Sequence, residues 1–177
     1  MIVLLALLND FAIMSIAYDR AEYALKPSHW DMTSVLGMAT FLGLVGTMSS
    51  FLFLSIGISI LHLSLDVLQS MMYLKLSVAG HLLIFITRTK GHFWSYRPSN
   101  ILLAAVLGTQ TVATIIAVYG LLIPSIGWRL ALFVWVYAIA AFFLTDLAKV
   151  FLFKRFEREV ETLEKEAVVI GKEVGKI

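Results

Sequence analysis

The residue best suited to chemistry is Asp10, a carboxylate inside the apolar run from Met1 to Tyr18. A charged side chain at the centre of a membrane helix costs about 2.5–3.5 kcal/mol on insertion scales, so such a residue usually has a function. A carboxyl group removed from water can take up a proton near neutral pH and release it when its surroundings change. Asp10 is therefore a candidate proton carrier. The alternative is that Asp10 lies near a helix end and is simply hydrated.

The surroundings of Asp10 in the sequence favour a proton over a metal ion. Calcium takes six to eight oxygen ligands, whereas this segment offers one carboxylate and the amide of Asn9. The chain has no cysteine, which excludes thiolate ligands and disulfides. We therefore predict no metal site and treat Asn9 as a candidate neighbour of the transport site.

Two ionisable residues, Lys75 and His81, interrupt another apolar run. A lysine buried in a membrane has to pair or lose its charge. One hypothesis is that Lys75 approaches Asp10 and acts as its counter-charge. The alternative is that Lys75 pairs elsewhere or faces a hydrated crevice. His81 is also a candidate neighbour of the site, although a hydrogen-bonded packing role is favoured over a proton relay.

One further pair of charges has a structural interpretation. Asp146 and Lys149 are one helical turn apart near the end of the last apolar run. Such spacing predicts an ion pair that anchors the end of a helix.

The composition identifies the elements that must position these residues. The chain is 60% apolar and 15% charged, against about 45–50% and roughly 25% in soluble domains. A membrane helix needs about 20 apolar residues. The sequence thus predicts an all-α integral membrane protein with about five transmembrane helices. The expected spans are 1–18, 34–60, 67–87, 101–123 and 130–153, which together form a transmembrane domain over 1–153.

Small residues mark faces on which these helices could approach closely. Ala39, Gly43 and Thr47 are spaced four apart in one span, as are Thr109, Ala113 and Ala117 in another. Such faces favour helix packing in membranes.

Lysine and arginine predict the orientation, because cytoplasmic loops carry an excess of both. The loops 19–33 and 88–100 and the C-terminal tail hold most of the cations. We therefore expect a multi-pass protein of the cell membrane with these segments in the cytoplasm. Residues 154–177 have apolar positions at alternating spacings of four and three, which predicts a short cytoplasmic amphipathic helix. The alternative is a continuation of the last span that frays at Gly171.

Several functions are excluded by what the sequence lacks. It has no GxxxxGK[ST] phosphate loop, no GxSxG, no HExxH and no dinucleotide fingerprint. The basic loops are too short to recognise nucleic acid. We therefore expect no catalytic residue, no bound cofactor and no nucleic-acid partner, and a lipid bilayer as the surroundings.

Several segments, in order, resemble parts of one protein family. Leu8-Asn9-Asp10 followed by Ile13-Met14 resembles the sixth membrane helix of plasma-membrane proton pumps of plants and fungi, the type III P-type ATPases. Further similar segments are Ala17-Tyr18-Asp19, Leu83 to Arg88, Arg97-Pro98, Ile115 to Tyr119, Gly127-Trp128, Trp135, Tyr137, and Asp146 with Lys149. The resemblance covers about Leu4 to Phe153, and the order and spacing of its segments make it specific.

This resemblance implies a role for the chain within a larger protein. Asp10 aligns with the family's proton-carrying aspartate, and the chain would be the sixth to tenth spans of a proton-exporting ATPase. The complete pump would use ATP and Mg²⁺, and its N-terminal domains and first five spans would precede Met1. Lys75 and His81 depart from the family, because plant pumps have glutamines there.

The predicted function is therefore the membrane portion of an ATP-driven proton export pump, which contributes Asp10 and the helices that support it. The chain alone is expected not to hydrolyse ATP. The alternative is a free-standing membrane scaffold or subunit without transport of its own. A small proton channel built around Asp10 and Lys75 is a third reading.

Overall fold

Five helices form the protein in its structure, a computed structural model that describes residues 1–20, 32–89 and 91–174. For residues 33–34 and 154–174 this description is of the backbone alone. The helices are α1 (Ile2–Met14), α2 (Met32–Ser59), α3 (Leu65–Thr87), α4 (Asn100–Tyr119) and α5 (Gly127–Val174), and one 3-10 turn (Ser15–Tyr18) extends α1. No strand occurs in these ranges.

Length and hydropathy agree with a membrane protein. Four segments are long and apolar enough to cross a membrane, namely Val35–Ser59, Leu65–Thr87, Asn100–Tyr119 and Gly127–Phe153. The apolar segment Ile2–Tyr18 is shorter. The predicted class, an all-α integral membrane protein, is thereby confirmed.

Helix α3 lies at the centre of the bundle, because it packs against α1, α2, α4 and α5. Its side chains are buried along most of its length, among them Met71, Leu74 and Val78, none of which is accessible. These residues belong to a core cluster that also includes Phe53 of α2 and Val134 of α5. The helix that carries Lys75 and His81 is therefore the one on which the others are assembled.

The two predicted small-residue faces differ in the structure. Ala113 and Ala117 of α4 are fully buried, as a close-packing face requires. Ala39, Gly43 and Thr47 of α2 are exposed instead. The prediction was right for α4, while the described residues leave the face on α2 open.

One predicted helix end is wrong. Helix α4 ends at Tyr119 instead of 123, because Gly120 adopts φ 70° and caps the helix in the left-handed region, where glycine is favoured. The last apolar span ends at Phe153, as expected, but the backbone of α5 remains helical beyond it to Val174. The tail thus continues the last helix, as in the alternative, but without the expected fraying at Gly171. The predicted amphipathic face of residues 154–177 depends on side chains that lie outside those described, so it stays a prediction.

One end of the bundle is closed by Lys149, which is 1% exposed. Its ammonium donates hydrogen bonds to the carbonyl oxygens of Ile86 at 2.8 Å, Thr89 at 3.0 Å and Gly91 at 2.6 Å. The last carbonyls of a helix lack partners within it and attract a cation. Lys149 of α5 thus caps the end of α3.

Asp146 holds the segment that follows α3. Its carboxylate lies 3.4 Å from the ammonium of Lys149, which is the pair expected from their spacing. It also accepts hydrogen bonds from His92 Nδ1 at 2.9 Å and from the backbone N–H of Phe93 at 3.1 Å. The buried carboxylate is therefore fully engaged, and α5 fixes both the end of α3 and the loop after it.

At the same end of the bundle, Asp19 joins α1 to the neighbouring helices. The Asp19 carboxylate pairs with the guanidinium of Arg88 and accepts the backbone N–H of Ser99 at 2.9 Å. Burial alone would raise the pKa of Asp19, but the hydrogen bonds from Arg88, Ser99 and Arg20 outweigh it and hold that pKa below its ordinary value of 3.8. This contact joins the end of α1 to the ends of α3 and α4.

Replacement of Lys149 by methionine should destabilise the bundle. The change removes the ammonium, orphans three carbonyl oxygens and leaves the buried carboxylate of Asp146 without its cation, a loss of roughly 3–5 kcal/mol. Unfolding of the purified chain in detergent, followed by tryptophan fluorescence, measures the effect. Arg129→Met is the matched control, because Arg129 is exposed at the start of α5. Equal stability of the two variants would refute the capping role.

Asp19→Asn tests the contacts of Asp19 with Arg88 and Ser99 and their dependence on pH. A lowered folded-state pKa means that the stabilisation is complete above the unfolded pKa, near 3.8, and is lost as the pH falls through the folded-state value. At neutral pH the variant should therefore be about 1–3 kcal/mol less stable than the wild type. In strong acid the two curves of unfolding free energy against pH should converge. A difference that stays constant into strong acid would contradict this account.

Candidate functional site

Asp10 lies midway along the apolar segment Ile2–Tyr18, on the side of the helix that faces away from the bundle. Leu8, Ala12 and Ser15 form the buried side of this segment. Asp10 is exposed on the opposite side of the helix. It shares that side with Val3, Leu7 and Met14, which lie at helical spacing and are 81%, 52% and 70% exposed.

No described side chain neutralises Asp10. The ion pairs among the described residues are Arg88–Asp19, His92–Asp146 and Lys149–Asp146. An ionised carboxylate in hydrocarbon is expensive, so Asp10 needs a proton, water or a polar group from another segment beside it. The open stripe around it is a surface on which such a segment could pack.

Asn9 faces α3, away from Asp10. Its side-chain nitrogen lies 3.5 Å from where a Cβ on Gly80 would stand, so α1 and α3 approach closely at this glycine. The Oδ1 atom of Asn9 is buried and has no hydrogen-bond partner among the described residues. It borders a cavity of about 220 Å³ between the two helices, which His81 and Thr87 also line. A cavity of this size beside a polar atom can hold water.

His81 shares this cavity with Asn9 and ties α3 to α4. Its Nδ1 atom donates to the carbonyl oxygen of Ser77 at 2.8 Å, and its Nε2 atom lies 2.8 Å from the hydroxyl of Thr109. The ring is 1% exposed. Both ring nitrogens are thus occupied, which is the hydrogen-bonded packing role favoured from the sequence.

A polar contact that the sequence analysis missed accompanies His81. The amide nitrogen of Gln110 donates to the hydroxyl of Ser77 at 3.0 Å, and its Oε1 atom has no described partner. Gln110 is 3% exposed. An uncharged glutamine in an apolar run gives little signal, but the four-residue spacing of Ser77 and His81 could have indicated a polar face on α3.

Lys75 faces α2, away from Asp10. Its ammonium donates to the Ser50 hydroxyl at 2.6 Å, and the side chain is 2% exposed. The predicted approach of Lys75 to Asp10 is therefore wrong for the described residues. The physical reason is helix geometry: Lys75 and His81 lie on different faces of α3, and α1 packs on the face of Gly80 and His81.

The described residues offer no cluster that would hold a metal ion: nowhere in these ranges do three His, Asp or Glu side chains converge. The arrangement consists instead of one carboxylate on an open helix face, an amide at a small cavity behind it, and a separate buried lysine.

Comparison with known proteins identifies relatives with ATPase names, although no protein-family model matches the chain. A protein of Methanocaldococcus jannaschii, provisionally named a cation-transporting ATPase, is 44% identical over 158 residues, which cover 89% of this chain and 20% of that protein. Plasma membrane ATPase 1 of Saccharomyces cerevisiae is 36% identical over 125 residues, which cover 68% and 13%.

A third relative, from Leishmania donovani, is provisionally named proton ATPase 1A and is 31% identical over 181 aligned residues, which cover 85% of this chain and 19% of that protein. The chain thus spans about a fifth or less of the length of these relatives. The matches cover 68–89% of this chain and are consistent with the C-terminal membrane part of such an ATPase.

Proposed function

This chain is a homologue of P-type ATPases, plasma-membrane ATPases among them, and from that premise we propose that it is a membrane portion of an ATP-driven proton export pump. In this role Asp10 carries the transported proton, and α2 to α5 support the helix on which it lies. ATP and Mg²⁺ act in other domains of the complete pump, because this sequence has no phosphate-binding motif.

The observation that carries the proposal is the carboxylate of Asp10 in the middle of an apolar helix, where none of the described residues forms an ion pair with it. A neutral, protonated carboxyl group is tolerated in a water-poor site, whereas the ionised form requires water or a cation. A pump that alternately hydrates and dehydrates this site would therefore load and unload one proton. The absence of a second carboxylate on α1 favours the proton over a divalent cation.

The exposed side of α1 around Asp10 supports the proposal that another membrane segment of the pump packs there. Val3, Leu7 and Met14 flank Asp10 and are exposed. Apolar side chains around a carboxylate keep water out once another helix covers them. In the complete pump we place the remaining membrane segments against this face, where they would supply the group that stabilises ionised Asp10.

The contacts behind Asp10 support a fixed position for α1. Asn9 packs against Gly80, and Asp19 ties the end of the segment to Arg88 and Ser99. The proposed motion therefore belongs to the segments on the open side of Asp10, while this chain acts as the stationary half of the site.

The proposed orientation places the loops 19–33 and 88–100 and the C-terminus in the cytoplasm of a cell whose plasma membrane contains the pump. Three contacts support a common side: Asp19 pairs with Arg88, Asp19 binds Ser99, and Lys149 of α5 caps α3 beside them. The excess of lysine and arginine in these segments favours the cytoplasmic side. Residues 21–31 and 90 lie outside the described residues.

Asp10→Asn in the complete pump tests the proposal. Asparagine keeps the size of the side chain and cannot carry a proton, so ATP-driven acidification of proteoliposomes should fall by at least about a hundredfold. Asp10→Glu should keep measurable transport. Asp66→Asn is the matched control, because Asp66 lies in the first turn of α3 and should leave transport unchanged.

Transport by Asp10→Asn at the wild-type rate would refute the role of Asp10. A wild-type complete protein that neither hydrolyses ATP nor moves protons would favour the alternative, a membrane scaffold or subunit without transport.

A further inference from the structure

A second cavity, of about 310 Å³, lies between α2, α3 and α5, and it shares Gly80 and Leu83 of α3 with the cavity beside Asn9 and His81. Along α3 it is lined from Lys75 to Ile86, which corresponds to roughly 16 Å at the rise of an α-helix. Along α5 it is lined from Ala138 to Thr145. The cavity is therefore elongated parallel to the helices.

The mouth of this cavity lies on the outside of the bundle. Gly43, Gly46 and Thr47 line it and are exposed. A Cβ on either glycine would meet nothing within 4 Å. A ligand could thus reach the cavity from the membrane without displacing a side chain at these positions.

The two ends of the cavity differ in chemistry. One end holds the ammonium of Lys75 with the hydroxyl of Ser50, which accepts its hydrogen bond, and Ser49 lies one residue away. The other end is closed by Leu42, Ile86 and Phe142, which form a buried apolar cluster. The cavity is therefore polar at the end that holds Lys75 and apolar at the end that Phe142 closes.

Lys75 is the unsatisfied group in this cavity. An ammonium has three donors, and Ser50 takes one of them as the single acceptor among the described residues. The described ion pairs involve other residues. A buried cation is costly unless an anion or further acceptors stand beside it, so the described lining of the cavity lacks the group that would complete the site.

We propose that this cavity binds a single-chain acidic amphiphile, whose carboxylate pairs with Lys75 and whose acyl chain extends toward Phe142. The volume is at the lower limit for small-molecule sites, about 300–1,000 Å³, and suits one chain. A helix, about 10–12 Å wide with its side chains, does not fit. The site is separate from Asp10 and does not depend on proton transport.

Binding of radiolabelled oleate to the delipidated chain in detergent, measured by scintillation proximity, tests this inference. Unlabelled oleate should displace the label with saturation, and methyl oleate, which has the same chain without the charge, should compete at least about tenfold more weakly. This comparison needs no variant and holds even if a substitution impairs folding.

Variants of the chain locate the site. Lys75→Met should lower oleate affinity by at least about tenfold and abolish the preference for the acid over the ester. Lys75→Arg should retain that preference. Gly46→Leu, at the mouth, should weaken both ligands, while Arg129→Met, an exposed cation at the end of another helix, should change neither.

Three results would overturn the inference: equal competition by oleate and methyl oleate, wild-type affinity in Lys75→Met, or no saturable binding. Stronger competition by dioleoylphosphatidylglycerol than by oleate would also overturn it, because the ligand would then be a two-chain lipid.

Discussion

A charge inside an apolar bundle has to be satisfied by the protein itself, and most of this structure follows from that constraint. Lys149 and Asp146 are both 1% exposed, and besides their mutual ion pair their hydrogen bonds join α5 to the end of α3 and to the loop beyond it. Arg88, at the end of α3, and Asp19, which follows α1, likewise neutralise each other in an ion pair. Two ionisable groups depart from it: Asp10 has no described partner, and Lys75 has one hydroxyl. These two departures are where we place ligands, a proton at Asp10 and a carboxylate at Lys75.

Lys75 and His81 lie on different faces of the central helix α3. Asn9 and His81 border the cavity between α1 and α3, whereas Lys75 faces α2 and α5. A lysine on the face of α1 would hold a permanent cation near Asp10, the proposed proton carrier, and favour its ionised form. With Lys75 on another face, the ionised form of Asp10 has to be stabilised by water or by segments beyond the described bundle.

The sequence predicted the helical class and the pairing of Asp146 with Lys149, because length, hydropathy and one-turn spacing are local properties. Prediction from the sequence failed where contacts between residues far apart in the chain determine the structure. Depth along a span suggested that Lys75 and Asp10 meet, but rotation about α3 turns Lys75 toward Ser50. One error was local: hydropathy alone extended α4 past Gly120, although that glycine caps the helix in the left-handed region and ends it there. The contacts of Lys149 with three carbonyl oxygens depend on the path of the loop after α3, which no local pattern specifies.

The most direct test of the central claim is to observe the proton on Asp10. Infrared difference spectroscopy of the complete pump, as ATP and Mg²⁺ drive it between its conformations, detects the C=O stretch of a protonated carboxyl group. Our account predicts a carboxyl band that appears and disappears during the cycle, shifts in deuterated water and is missing in Asp10→Asn. A cycle that proceeds with no such band, or a band that persists in Asp10→Asn, would contradict the assignment of Asp10 as the proton carrier.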